Sequence, residues 1–263
     1  MPHDDALLLR LRDITQAELG IHISDEKLYS FKIKVGRLLE REGVRSLEEL
    51  YERLRNREEH FWNLMIRYTT VNYTYFFREE HQFAVLMHHI KRGRVSAPAI
   101  WCAAASTGEE VYSLAITLHE HGVHDFLIIA SDIDKTVLFT MKRGIYDRAK
   151  LGNLSPELRK KYFLPRKSNG SHQFEVKGYV KERVLAKQLN LVDPLRFERQ
   201  FDFIFCRNVM IYFDRETRTQ VLETLLANLK AHGALFLGQS ESLVGTGVDM
   251  RQIGPSVYRK HDA

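Results

Sequence analysis

The chain has 263 residues, 44% of them hydrophobic and 28% charged, the proportions of an ordinary soluble globular protein with room for one large domain or a large and a small one. No apolar run approaches the roughly 18 residues a membrane span needs, and the start MPHDDALLLRLRD is too acidic for a signal peptide. Net charge is +5 and the pI about 9.1, but the excess is local: Lys142 to Lys187 is rich in Lys and Arg with only four acids, a patch that suits any acidic partner, protein or nucleic acid.

Residues 1 to about 70 read as wholly helical. Leu28, Phe31, Val35, Leu38 and Leu39 recur at helical spacing. Ser46 followed by Glu49 has the form of a capping box, and Phe61, Leu64 and Met65 continue the periodicity. Lys34, Arg37 and Arg41 share one face of the second helix, either a solvated face or a docking surface for an acidic partner. The stretch TTVNYTYFFREEHQF follows, with Asn72, Thr74 and Arg78 set among Tyr73, Tyr75, Phe76 and Phe77. An arginine in that company suits a cation–π pair or a bidentate clamp on a carboxylate; the pattern leaves both open.

From about residue 98 strands and helices alternate. PAIWCAAA reads as a strand, EEVYSLAITLHEHG as a helix ended by Gly122, FLIIASD as a strand and DKTVLFTMKRG as a helix. Later come FDFIFCRN as a strand, RETRTQVLETLLANLKAHG as a helix closing on Gly233, then ALFLGQ and SVYRK as strands. Such alternation implies a mostly parallel sheet with helices on both faces. Between Ser155 and Leu189 the pattern breaks. Ser155-Pro156-Glu157 opens a short helix with Pro first, and FEVKGYVKERVLAKQ, interrupted by Ser168-Asn169-Gly170 and Gly178, suggests inserted antiparallel strands. Cys102 and Cys206 lie in apolar strand-like runs, so buried thiols in a cytoplasmic protein are expected.

The turn in WCAAASTGEEVYSLAI has one glycine where a dinucleotide loop has three, and Glu109 and Glu110 stand at the mouth of the helix. An acid there repels a pyrophosphate and favours a cation, and S-adenosylmethionine is a nucleoside ligand that carries positive charge without phosphate. Acids in a helix's first turn are equally common for the dipole alone. Asp132 and Asp134 lie about 20 to 25 residues beyond the turn, the interval of a ribose-binding acid; Asp132 is the better candidate, and Asp134 serves equally as an N-cap. FDFIFCRNVMIYFD ends its strand in Arg207 and Asn208, which should face the pocket, and carries Tyr212, a packed aromatic or a site residue. The 12 His are scattered without ligand spacing, so no metal is expected.

NYTYFFRE, WCAAASTGEEVYS, ASDID, FCRNVMIYFD and LGQSESL, in this order, resemble the signature blocks of the chemotaxis receptor glutamate methyltransferases, the CheR family, over nearly the whole chain. The resemblance implies an α/β fold: an S-adenosylmethionine-dependent methyltransferase (Rossmann-like) domain at 73–263, an N-terminal all-α domain at 1–72, and an inserted antiparallel β-subdomain at 155–189. It implies cofactor contacts at Asn72, Thr74, Arg78, Glu109 and Asp132, at Asn190 and Leu191 in KQLNL, and at Arg207 and Asn208. Arg78 and Tyr212 would lie nearest the transferred methyl and the incoming carboxylate. Departures are slight: Val71 and Tyr73 flank Asn72, and Val111 follows the Glu pair where proline is frequent.

The implied activity is methylation of glutamates in the cytoplasmic helical domain of chemoreceptors at their arrays, with S-adenosyl-L-homocysteine as product. Lys34, Arg37, Arg41 and the basic insert would dock the receptor, and a receptor C-terminal tether peptide would fit the insert. Neither nucleic acid nor direct membrane insertion is expected. A nucleic-acid methyltransferase is disfavoured because the strand-like part of the insert offers no stacking platform beyond Phe174 and Tyr179. Intact Arg78, Asn208 and Tyr212 count against a non-catalytic adaptor.

Overall fold

The computed structural model describes residues 2–168 and 171–261, so Asn169 and Gly170 of the expected break lie outside the described residues. By contacts the chain divides into two compact units. One runs to Val71 and adds Tyr212–Arg218; the other holds Asn72–Ile211 and resumes at Thr219.

The first unit is built from α1 (Pro2–Leu19), α2 (Asp25–Glu42), α3 (Leu47–Arg55) and α4 (Glu59–Thr69). α1 packs on α3 and α2 on α4, and the apolar stripe of α2 supplies buried Phe31, Val35 and Leu38. These meet Leu8, Leu11, Leu50, Leu54, Leu64 and Met65 in one core. Each such side chain, fully buried, contributes about 1.5–3 kcal/mol. The Ser46 hydroxyl caps α3 by accepting from Glu49 N at 3.2 Å, a bond of about 1 kcal/mol. The expected capping box closes differently: Glu49 Oε2 accepts from Arg45 N at 3.1 Å.

The second unit opens with α5 (His81–Gly93) and proceeds through β1 (Ala99–Ala103), α6 (Glu109–Glu120), β2 (Leu127–Asp132) and α7 (Lys135–Arg143). Next come β3 (Ile145–Asp147), α8 (Pro156–Tyr162), β4 (Phe163–Ser168), β5 (Ser171–Val176), α9 (Gly178–Lys181) and β6 (Val184–Gln188). β7 (Phe201–Cys206), α10 (Arg215–Ala227), β8 (Leu229–Leu237), β9 (Arg251–Gly254) and β10 (Val257–Arg259) complete the chain.

A seven-stranded sheet has the order β6-β2-β1-β7-β8-β10-β9, and β3-β5-β4 form a separate three-stranded one. β6, β2, β1, β7 and β8 run parallel, while β8, β10 and β9 pair antiparallel. β1 is buried at all five positions, as a central parallel strand must be. Its neighbours are β2 on one side and β7 on the other, so the strand order reverses there. Ligands bind outside the carboxyl ends of strands at such a switch point.

Three readings from the sequence change. VLAKQ is not an inserted antiparallel strand: it is β6, paired parallel with β2 at the edge of the large sheet. The small sheet instead recruits Ile145–Asp147 from before the expected insert, pairing it antiparallel with β5. The helix expected to close on Gly233 stops at Ala227. Asn228 ends it, its amide donating to Leu195 O at 2.9 Å and Thr224 O at 2.8 Å while its oxygen accepts from Phe197 N. Gly233 therefore lies within β8, where a Cβ would come 2.8 Å from Asp202 O. Pro156 opens α8 as expected, with the Ser155 hydroxyl accepting from Leu158 N. Cys102 and Cys206 are free and buried.

Candidate active site

The carboxyl end of β1 runs into a turn where Ala104, Ser106 and Gly108 all take positive φ, at 63°, 50° and 93°. A non-glycine residue there costs about 1–2 kcal/mol, and surrounding bonds hold the shape. Ala105 N donates to Ser131 O at 2.8 Å and Ser106 N to Asp132 Oδ2 at 2.8 Å. Only the third position needs glycine: a Cβ on Gly108 would fall 2.2 Å from Met141 Cγ. One glycine suffices because strand-end bonds enforce the other two conformations.

Asp132 ends β2 and is buried. Its second oxygen accepts from Asp134 N at 3.0 Å. Burial pushes its carboxyl up to about 6, against these backbone bonds, which pull it down. Asp134 is the N-cap of α7: Oδ1 accepts from Thr136 N at 2.8 Å, and Oδ2 accepts from Asn72 Nδ2 at 3.3 Å. Asn190 and Leu191 follow β6; Leu189 N donates to Asp132 O at 3.0 Å, which brings the KQLNL block beside the β2 end.

Glu109 and Glu110 open α6. Glu109 is wholly buried. Oε2 accepts from the Thr107 hydroxyl at 2.6 Å. Oε1 receives no well-formed hydrogen bond, and Lys150 Nζ stands 3.0 Å from it as an ion pair. Glu110 faces the other way, its Oε2 2.6 Å from Arg207 Nη1.

The segment 72–80 has no regular structure, so its backbone groups need outside partners. Ser106 Oγ donates to Asn72 O at 3.4 Å, Lys150 Nζ to Thr74 O at 3.1 Å and Asn153 Nδ2 to Phe76 O at 3.3 Å. Arg207 Nη2 donates to Arg78 O at 2.7 Å, and Phe77 N to Ser113 Oγ at 2.9 Å. Buried Phe76 is anchored between Tyr146 and Phe163. The Arg78 side chain donates to Tyr73 O at 3.1 Å and lies 5.9 and 5.7 Å from the ring centres of Tyr73 and Tyr75. Of the two options left open in the sequence, the aromatic contact is the one formed here; a guanidinium carries five N–H donors, more than these contacts use.

Arg207 sits at the end of β7, its side chain 1% exposed. Burial works against its charge, but Glu110 and Glu79, the latter 3.1 Å from Nη2, outweigh burial and hold it protonated. With both terminal nitrogens engaged by protein groups, Arg207 positions the first block against the turn. Asn208 takes φ 59°. Its N–H and that of Gly238 both donate to Glu241 Oε2, at 2.8 and 2.7 Å, and burial raises the Glu241 carboxyl.

Asn72, Thr74, Arg78, Glu109, Asp132, Asn190, Leu191, Arg207 and Asn208 all belong to the second unit. Tyr212 belongs to the other unit, where its carbonyl accepts from His22 N at 2.7 Å. There Arg37 and Arg41 are exposed. Lys34 is not: its ammonium donates to Thr69 O at 2.9 Å, at the end of α4, and burial lowers its pKa. Lys150, Glu79 and Glu241 escaped sequence reasoning. Glu79 and Glu241 were visible as acids inside quoted blocks, whereas nothing in DRAKLGN marks Lys150.

The profile of a family described as "CheR methyltransferase, SAM binding domain" matches residues 72–258. The chain belongs to the CheR methyltransferase family. It is 37% identical to chemotaxis protein methyltransferase 2 of Pseudomonas aeruginosa over 91% of this chain and 87% of that one. Against the chemotaxis protein methyltransferase of Salmonella typhimurium identity is 35%, over 97% and 90%. The Escherichia coli protein of that name is 36% identical over 90% and 85%. Solved methyltransferases overlay loosely: the glycopeptide N-methyltransferase MtfA with sinefungin gives a TM-score of 0.37 at 13% identity, over 59% of this chain and 52% of that one. Family membership does not rest on that likeness. Among the described residues no helix is long and apolar enough to cross a membrane.

Proposed function

We propose that this methyltransferase esterifies glutamate side chains in the cytoplasmic helical domain of chemoreceptors, with S-adenosyl-L-methionine as methyl donor and S-adenosyl-L-homocysteine as product. The observation that carries this is the pair of buried carboxylates, Glu109 and Asp132, at the mouth of the switch point. The donor set fits a cationic adenosyl ligand: a lysine ammonium already rests on Glu109, and Asp132 keeps acceptor capacity for ribose hydroxyls. When bound, the donor supplies a methyl group activated by a sulfonium.

Asn72, Thr74, Asn190, Leu191 and Asn208 would line the donor site, with Arg207 as a positioning residue. The acceptor glutamate, with a reference pKa of about 4.3, is ionised near neutral pH, so no general base is required. Arg78 would steer that carboxylate through donors it does not spend on Tyr73, and the Tyr212 hydroxyl would orient it. An arginine clamp that gripped the ground state too firmly would slow attack, which favours a steering role. The helical unit would dock the receptor through exposed Arg37 and Arg41, with Lys34 beside them on the same helix, and the small sheet of β3, β5 and β4 would hold a receptor tail peptide.

The test is transfer of labelled methyl to receptor cytoplasmic fragments, with and without their last residues. Label that mild base releases as methanol is expected, falling about 100-fold in Arg78→Ala or Tyr212→Phe if orientation is their contribution. Arg37→Glu with Arg41→Glu should lower transfer while leaving S-adenosylhomocysteine affinity intact. Base-stable label, or label carried by RNA instead, would contradict the proposal.

A further inference from the structure

The ion pair at Glu109 is asymmetric. The carboxylate side chain is 0% exposed and its lysine partner 46%. Lys150 reaches in from a 3-10 turn, Arg148–Leu151, which is pinned by fully buried Leu151. Its ammonium touches two acceptors, Glu109 Oε1 at 3.0 Å and Thr74 O at 3.1 Å. These belong to two different sequence blocks, STGEE and NYTYFFRE, both on the donor side of the site. A carboxylate and a carbonyl held a single ammonium apart are what the α-ammonium of an amino acid would require. An ammonium on a flexible four-carbon stem, half in water, can withdraw without unfolding anything.

We infer that Lys150 is an internal counter-cation that occupies Glu109 in the free protein and is displaced by the α-ammonium of the methyl donor, so that it weakens binding of every ligand bearing that ammonium. This rests on the proposal that Glu109 faces the amino-acid end of the donor. One positive charge leaves the buried carboxylate as another arrives, so Glu109 is never left bare, and release of the product restores the internal pair. Lys150 is thereby a positioning residue that sets how long product stays bound, because S-adenosylhomocysteine keeps the ammonium and has lost the sulfonium charge.

The experiment is titration calorimetry on the full chain with two probes: S-adenosylhomocysteine, and 5′-methylthioadenosine, which lacks the amino-acid end. If Lys150 occupies Glu109 in most free molecules, Lys150→Gln should tighten S-adenosylhomocysteine binding by about fivefold or more, the factor by which it frees the competent state. Binding of 5′-methylthioadenosine should stay within about twofold, because that probe makes no demand on the competent fraction at Glu109. Lys150→Arg, which keeps the cation, should bind as wild type does. Unchanged or weaker S-adenosylhomocysteine binding by Lys150→Gln, with circular dichroism as wild type, would overturn the inference, and so would equal tightening of both probes. Glu109→Gln separates the layers. If it binds S-adenosylhomocysteine as tightly as wild type, the donor-facing role of Glu109 is wrong; if it binds weakly while Lys150→Gln is neutral, only the competition is wrong.

Discussion

Glu109 and Glu110 are adjacent in sequence, identical in chemistry and placed at the same helix N-terminus, yet they end in opposite kinds of site. Glu110 meets Arg207, whose side chain is 1% exposed and which also binds Glu79 and the Arg78 carbonyl. Glu109 meets Lys150, a residue half in solvent. One pair is sealed and the other can open. The carboxylate whose partner is buried with it serves the architecture, and the one whose partner is half in solvent is the one proposed to receive a ligand.

Removing the sealed partner should have the largest effect. Arg207→Ala leaves Glu79 and Glu110 uncompensated and is expected to lower stability by about 3–5 kcal/mol, read by urea unfolding. A loss below about 1 kcal/mol would make the two glutamates alike and erase the contrast. Lys150→Gln, which retains a donor toward Glu109 and loses a half-solvated charge, should cost about 1 kcal/mol or less.

Between these lies Asp132, the other buried acid of the mouth. Burial pushes its carboxyl up to about 6 in the folded chain, from about 3.9 for an unperturbed aspartate. The native form therefore holds its proton more tightly than the unfolded chain. The resulting stabilisation is full below about pH 4 and is lost as pH rises through about 6, amounting to at most about 3 kcal/mol. Urea midpoints from pH 4 to 8 should fall more steeply for wild type than for Asp132→Asn; equal slopes would refute the burial. Ligand affinity should run the opposite way, weakening below about pH 6 as the acceptor for the ribose hydroxyls protonates.

Much of this was legible in the sequence. Alternating apolar strands and amphipathic helices announced the parallel sheet, and the five signature blocks in order announced the family. What escaped has physical reasons. VLAKQ joins the large sheet as an edge strand, and with no buried position it carries no continuous apolar run to distinguish it from an inserted strand. The early end of α10 depends on the three contacts of Asn228, which no periodicity encodes. The burial of Arg207 depends on its pairs with Glu79 and Glu110, both distant in sequence. Lys150 meets Glu109 only after α7, β3 and a turn have folded back, so local spacing gave no sign of it.

The most direct measurement is calorimetric titration of the full chain with S-adenosylhomocysteine and, separately, with ATP. A mouth lined by Glu109 and Asp132 predicts clear one-to-one binding of the first and no heat with the second. Uptake of ATP with no response to S-adenosylhomocysteine would contradict the account.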